Sequence, residues 1–430
     1  MSTGRITVLV AASGAGWEAP ALQRLASAGP GIVLLKRCVD LNDLLATAST
    51  GQATVAVLAD ELPGLDADSV DLLRRSGLGV VLVAEPGQLA GGAQARFRRL
   101  GVDHLVGSDS MDALPEMVAA AGAESGPTGA PVETGPVDPE PDATGPGRLV
   151  AVWGPAGAPG RTTVAVGVAA ELAHRGLASF LVDVDGYGGA VAQHLGVLDE
   201  MSGLLAAARM ANAGELDRAR LSSLARMLDP SLRVLTGLPR ADRWTEVRDS
   251  AFEQLLDLSR AMGRYVVLDT GFCLEEDAAS FGTGAPQRNA MTLTSLEQAD
   301  EVVVVGSADP VGLARLARGM VELLEVVPGC TLRVAVNRTR PSLGWAEKEV
   351  RAMIEGFVTP ESMHFLPDDR AATDRAVMAG QSLVETGDSP LRRAVAELVD
   401  ALTGQADAFR PRGSRLPGRR RPRRQALNSR

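Results

Sequence analysis

Short apolar runs rich in Val, Leu and Ile alternate along the chain with longer stretches whose apolar residues recur at helical spacing. In the first part the runs at 6–11, 32–36, 54–58, 79–83 and 104–106 read as strands. The intervening stretches at 19–28, 41–48, 68–75, 94–100 and 111–121 read as amphipathic helices. Strands this uniformly apolar are buried on both faces, which predicts five βα units around a parallel sheet, a flavodoxin-like doubly wound α/β fold. The pattern then stops. Residues 122–147 are almost half Gly and Pro mixed with polar residues, the composition of a flexible linker. It resumes over 148–404, and 405–430 is polar, Pro- and Gly-punctuated and Arg-rich, so disorder is expected there. The domains expected are therefore 1–121, a linker at 122–147, 148–404 and a tail at 405–430.

Composition narrows the classes. Of 430 residues, 45% are apolar and 22% charged, ordinary proportions for water-soluble globular material. No window of about 18 uncharged apolar residues occurs, so no spanning helix is expected. The run after Met1 alternates like a strand and does not predict a secretory leader. Cys38, Cys273 and Cys330 lie far apart, which fits neither a disulfide framework nor a zinc cluster, and a cytoplasmic setting is expected. The net charge of −10 conceals nine arginines and no acid between 410 and 430, so an acidic body carries a basic tail. Such a tail suits anionic membrane or DNA phosphates, or serves only to solubilise. Lys36 and Lys348 are the only lysines.

In the first domain, Leu58-Ala59-Asp60-Glu61-Leu62-Pro63-Gly64 resembles the segment after the third strand of response-regulator receiver domains. Ala59 stands where the resemblance puts the phospho-accepting acid. Asp60 is one place late and points to the other face of a strand. Ala11-Ala12-Ser13 replaces the acidic pair, and Gly107-Ser108 the lysine region. Phosphoryl transfer needs all three groups, so the expectation is a pseudo-receiver used for interaction, against the alternative of an unrelated α/β domain.

The second domain carries the chemistry. A strand, Arg148–Trp153, runs into Gly154-Pro155-Ala156-Gly157-Ala158-Pro159-Gly160-Arg161-Thr162-Thr163 and then an apolar helix. Strand, glycine-rich turn and helix is the layout of a phosphate-binding loop, in which backbone N–H groups and the helix N-terminus face an anion. Thr162 would give its hydroxyl to Mg²⁺. Pro155 replaces the first glycine of that motif and Arg161 its lysine, and Arg is bulkier and planar. Asp183 and Asp185 close a strand at 179–184, and Asp269 closes another at 264–268. Acids at the carboxyl ends of parallel strands lie on the ligand side of such a sheet and can hold Mg²⁺. The plain alternatives are that these acids cap the segments that follow and that Asn337 is a turn residue.

Several segments in order carry a wider resemblance: Leu232-Arg233-Val234-Leu235, Phe252-Glu253-Gln254-Leu255-Leu256, Phe365-Leu366-Pro367-Asp368-Asp369 and Ser389-Pro390-Leu391-Arg392-Arg393-Ala394. Together with the loop they resemble the MinD/ParA superfamily of deviant-Walker P-loop ATPases. The nearest likeness is its CpaE/TadZ-like branch, which joins a degenerate receiver to a MinD-like domain. The resemblance implies that Gly157, Gly160, Arg161, Thr162 and Thr163 form the phosphate loop. It implies Asp185 as the acid orienting the attacking water, Asp183 as its neighbour and Asp269 as the Walker-B-like acid. It also implies Asn337 at the adenine edge, Pro367, Asp368 and Asp369 lining the base pocket, and Mg²⁺ held by Thr162, Asp185 and Asp269. The family's signature lysine falls on Ala156. Two cations are then missing from a site whose catalysis is mostly charge stabilisation, so ATP or ADP binding with weak or absent hydrolysis is expected. The implied function is a nucleotide-responsive homodimer that localises a pilus, secretion or septal machine, polar, septal or peripheral to the membrane. The alternatives are an active ParA-like ATPase partitioning DNA through the Arg tail, and a nucleotide-free scaffold.

Overall fold

The computed structural model describes residues 5–29, 31–86, 97–98, 100–124, 145–197, 201–276 and 286–404. Two α/β units carry all of it. In the first, β1 (Ile6–Ala11), β2 (Ile32–Arg37), β3 (Val55–Ala59), β4 (Gly79–Ala84) and β5 (His104–Gly107) pair in parallel in the order β2-β1-β3-β4-β5. Helices α1 (Glu18–Ser27), α2 (Leu41–Ala48), α3 (Ala67–Arg75) and α4 (Leu114–Glu124) cover it. That is the flavodoxin-like order. Ala59 is the last, buried residue of β3 and Asp60 follows the strand. Of the helix expected at 94–100, Phe97 and Arg98 are helical and the rest lies largely outside the described residues. Most of the linker and the whole tail at 405–430 also lie outside them.

The second unit strings together β6 (Arg148–Trp153), β7 (Ser179–Val184), β8 (Arg226–Asp229), β9 (Leu232–Leu235), β10 (Tyr265–Thr270), β11 (Glu301–Ser307), β12 (Leu332–Thr339) and β13 (Ser362–Pro367). Its sheet runs β13-β12-β11-β6-β10-β7-β9-β8, parallel except for β8. The helices are α5 (Arg161–His174), α6 (Val191–His194), α7 (Gly203–Asn212), α8 (Arg218–Leu224), α9 (Asp249–Arg260), α10 (Ala290–Gln298), α11 (Pro310–Val326), α12 (Glu347–Glu355), α13 (Arg370–Ala379) and α14 (Pro390–Thr403). One face of the sheet is sealed by α5 and α14, whose Val164, Val168, Leu391, Val395 and Leu398 pack on Val150, Val152 and Val267. The other is sealed by α7 and α9 toward β7 and by α11 and α12 toward β12. The amphipathic segment at 390–402 thus spends its apolar side inside the fold. Among the described residues no helix is long and apolar enough to cross a membrane.

The antiparallel hairpin β8–β9 was not signalled by periodicity: every residue of β8 is exposed, so it lacks the alternation of a half-buried strand. The strand order matters most for function. Because β6 lies between β11 and β10, and β10 between β6 and β7, the carboxyl ends of β6, β10 and β7 are neighbours.

The two units touch through α3 and the start of α9. Asp66 caps α3 in a reciprocal box with Ser69 (3.0 and 2.9 Å), and the same carboxylate pairs with Arg248 at 2.7 Å. Asp68 accepts from the Ser250 N–H at 3.0 Å. Asp66→Ala is expected to lower unfolding stability by about 1–2 kcal/mol, the usual worth of a helix cap. Chemical denaturation checks this, and a stability unchanged within error would refute the cap's importance.

Candidate functional site

The turn after β6 is shaped by what presses on it. A Cβ on Gly154 would collide with the Val305 carbonyl of β11. Gly157 (φ +75°) and Gly160 (φ +91°) take left-handed conformations that glycine adopts without strain. Pro155, the departure from the motif, fits because Gly319 of α11 leaves a notch, where an added Cβ would lie 2.9 Å from the proline Cβ. Helix α5 then begins at Arg161 with no side-chain cap and no acid in its first turn. Its leading N–H groups have no intrahelical partners and face the site with the positive end of the helix dipole.

The three acids do converge. Asp269 and Asp183 are register partners on adjacent strands, and both are buried. Asp269 accepts from the Thr162 hydroxyl at 2.7 Å through Oδ2, while its buried Oδ1 has no hydrogen-bond partner. Burial, and then the charge of Asp183, push its carboxyl well above the usual carboxylate range. Burial raises Asp183 to about 7 against the opposing N–H bonds from Val191 (3.1 Å) and Asp185 (3.3 Å). Asp183 is walled in: a Cβ on Gly189 or Gly237 would come within 2.5 and 2.6 Å of its carboxylate. Asp183 therefore also caps the segment leading into α6, as the plain reading of the sequence has it.

Asp185 lies at the mouth. It accepts from Tyr187 N–H at 2.8 Å and pairs with Arg161 at 3.5 Å. Arg161 also donates to the Gly154 carbonyl at 3.1 Å and sits 5.9 Å from the Phe272 ring centre. The arginine in the lysine's place thus closes its own loop. Asn337, inside β12 two residues before its end, donates to the Pro159 carbonyl at 2.9 Å and accepts from the Arg338 N–H at 2.9 Å, so its amide clamps the loop. Pro367, Asp368 and Asp369 line a cleft of about 390 Å³ together with Gly160, Thr163 and Asn337. Asp369 caps α13 through Ala372 N–H at 3.1 Å, and Asp368 pairs with Arg370 at 3.6 Å and Arg340 at 3.9 Å. Arg338 beside Asn337 has φ +59°, a strained conformation of the kind that collects at ligand sites.

All of the sequence-derived site residues therefore lie around the carboxyl ends of the strands of one sheet. Two features were invisible in the sequence. Tyr187 packs at a tilt against Phe272, ring centres 4.8 Å apart, and donates to Asn289 at 2.8 Å, and Asn289 donates to the Glu275 carbonyl at 2.7 Å. This latch joins the segments following β7 and β10. The second is Arg315 of α11, whose Nη1 lies close against Gly157. Neither has a local signal, because Tyr187 meets Asn289 across 102 positions and Arg315 meets Gly157 across a longer stretch still.

A magnesium ion has a place to go. The orphaned Oδ1 of Asp269 beside the Thr162 hydroxyl fits the inner or water-mediated shell of such an ion. Among the described residues no group of three or more His, Cys, Asp or Glu is placed to hold a metal alone. Magnesium typically completes its shell with phosphate oxygens and water, so one or two carboxylates suffice.

No family model and no curated protein matches the chain. Among solved structures it is similar to a ParA family ATPase from Chlorobium tepidum (17% identity, 59% of this chain, 98% of that one, TM-score 0.49). It is also similar to the cell division ATPase MinD of Pyrococcus furiosus (18%, 60% and 100%, TM-score 0.48). A third is the septum site-determining protein MinD of Pyrococcus horikoshii, solved with Mg-ADP (16%, 61% and 98%, TM-score 0.48). At such identities these are likenesses of fold, and the α/β architecture of two parallel-sheet units rests on the strand orders themselves.

Proposed function

We propose that the chain is a nucleotide-responsive spatial regulator of the MinD/ParA kind, on its CpaE/TadZ-like side. It binds Mg·ATP or Mg·ADP and localises a pilus, secretion or septal apparatus. In this reading the chain acts as a homodimer, with the first unit a pseudo-receiver that engages partners. Residues 122–147 are its linker, and 405–430 a basic tail for anionic membrane or DNA.

One observation carries the reading. An uncapped, acid-free helix N-terminus stands over a glycine turn, and beside it a buried carboxylate keeps one oxygen without a partner. A polyphosphate satisfies the first and its magnesium the second. Gly157, Gly160, Arg161, Thr162 and Thr163 would cradle the phosphates. Thr162 and Asp269 would hold the ion, with Asp185 at its edge. The cleft of Asn337, Pro367, Asp368 and Asp369 would take the base. Asp183, as its neighbours' support, would set the level of charge.

The same geometry favours weak or absent hydrolysis. Arg161 is tied to Gly154 and Asp185, and the Asp185 carboxylate is thereby engaged where it would otherwise orient water. Charge stabilisation by positioned groups dominates phosphoryl transfer, so an engaged cation and an engaged acid both slow it.

Calorimetric titration of the full chain with ATP and Mg²⁺ is expected to give saturable, magnesium-dependent binding, with little phosphate released afterwards. Arg161→Ala is expected to weaken binding about 10-fold or more, the worth of a charge-assisted contact. Unchanged affinity would remove Arg161 from the site. Turnover stimulated by DNA would favour a ParA-like partitioning ATPase. No binding at millimolar nucleotide would leave a scaffold.

A further inference from the structure

Helix α11 meets the phosphate loop at two positions four residues apart, hence on one face. Gly319 receives Pro155, and one turn earlier Arg315 lays its guanidinium against Gly157 so closely that a Cβ there would collide with Nη1. Arg315 is otherwise exposed, and among the described residues it has no carboxylate partner. The other arginine of the loop, Arg161, has one in Asp185. A guanidinium held against the loop, with no ion-pair partner among the described residues, leaves this side of the loop with surplus positive potential. An anion is the missing partner.

The loop also has a direction. Its Gly160 side faces Asn337 and the cleft of Pro367, Asp368 and Asp369 on the α5 and α14 face of the sheet. Its Gly157 side faces α11 on the opposite face. A nucleotide with its base in the cleft crosses the loop from Gly160 toward Gly157, so its outermost phosphate comes to rest nearest Arg315.

We propose that Arg315 is a specificity residue that donates to the terminal phosphate of a nucleoside triphosphate, within the same chain, and so makes the site prefer triphosphate to diphosphate. This rests on the nucleotide-binding reading above. It also returns to the site one of the cations lost with Ala156 and the absent loop lysine.

The test is calorimetry of Mg·ATP and Mg·ADP on the full-length wild type, Arg315→Ala, Arg315→Gln, which keeps an aliphatic stem, and the control Arg318→Ala elsewhere on α11. Both Arg315 variants are expected to lose about 10- to 100-fold in affinity for Mg·ATP, the cost of one charge-assisted hydrogen bond, and less than about 3-fold for Mg·ADP. Arg318→Ala should leave both unchanged. Thermal melts equal to wild type will show that the variants fold. Equal losses for the two nucleotides, or no loss for either, would overturn the assignment of Arg315. A wild type that binds neither nucleotide would instead overturn the nucleotide reading, and this inference with it.

Discussion

Gly160→Ala is expected to leave the chain folded and to abolish nucleotide binding at the proposed site in the turn after β6. Gly160 holds φ +91°, which an L side chain adopts only with strain, and its new Cβ would collide with the Asn337 amide that clamps Pro159. Left-handed strain costs about 1–3 kcal/mol, and losing the clamp adds about 1 kcal/mol. Relieving the collision moves the leading amides of α5, and two misplaced phosphate contacts correspond to roughly 100-fold in affinity. Gly176→Ala is the comparison. Gly176 has φ +73° but nothing lies within 4 Å of its added Cβ, so it carries the strain without the collision. Both variants should melt a few degrees below wild type, and only Gly160→Ala should lose Mg·ATP. Nucleotide binding that survives in Gly160→Ala would show that this turn is not the phosphate site.

The second large effect is a pH dependence that nucleotide reverses. Asp183 is raised to about 7 in the folded chain, and Asp269 moves in the same direction. An unfolded aspartate titrates near 4, so between about pH 4 and 7 the folded state holds a proton that the unfolded state has released. Stability from Asp183 is therefore greatest at the acid end of that window and falls as pH rises through it. The slope is about 1.4 kcal/mol per pH unit for one such group. In the proposed site Mg²⁺ beside Asp269 would invert the preference, because a divalent charge favours the ionised carboxylates and expels their protons. Mg·ATP affinity should then rise from pH 6 to pH 8. Calorimetry near pH 7 in buffers of different ionisation enthalpy should report net proton release. Asp183→Asn should flatten the decline of melting temperature with pH. A melting temperature independent of pH, or binding without proton release, would refute the buried protonated acids.

These two results depend on features of unequal visibility. Gly160 stands out in the sequence because a strand, a glycine turn and a helix follow one another without a break, and each has a local pattern. The acids Asp183 and Asp269 stand out for the same reason, each at the end of a run of Val and Leu. Their raised pKa values do not stand out. Those come from β7 and β10 being neighbours, and from Gly189 and Gly237, in the segments after β7 and β9, pressing against Asp183. Asn337 illustrates the middle ground. Its place near the end of a strand was readable, but its amide is spent on the Pro159 carbonyl, 178 residues away. The β8–β9 hairpin escaped because a fully exposed strand has no apolar alternation to reveal it.

The chain's own order of residues thus determined two α/β units, the glycine-rich turn after β6 and the acids at the strand tips, since periodicity and turn chemistry act between near neighbours. Only the tertiary structure decided that Pro155 is tolerated through Gly319, that Tyr187 and Asn289 tie two loops together, and that Arg315 reaches Gly157. Of those pairings, Tyr187 and Asn289 are 102 positions apart and the other two further still. They arise when strand order and helix packing fold distant segments onto one end of the sheet, and nothing in either segment records the other.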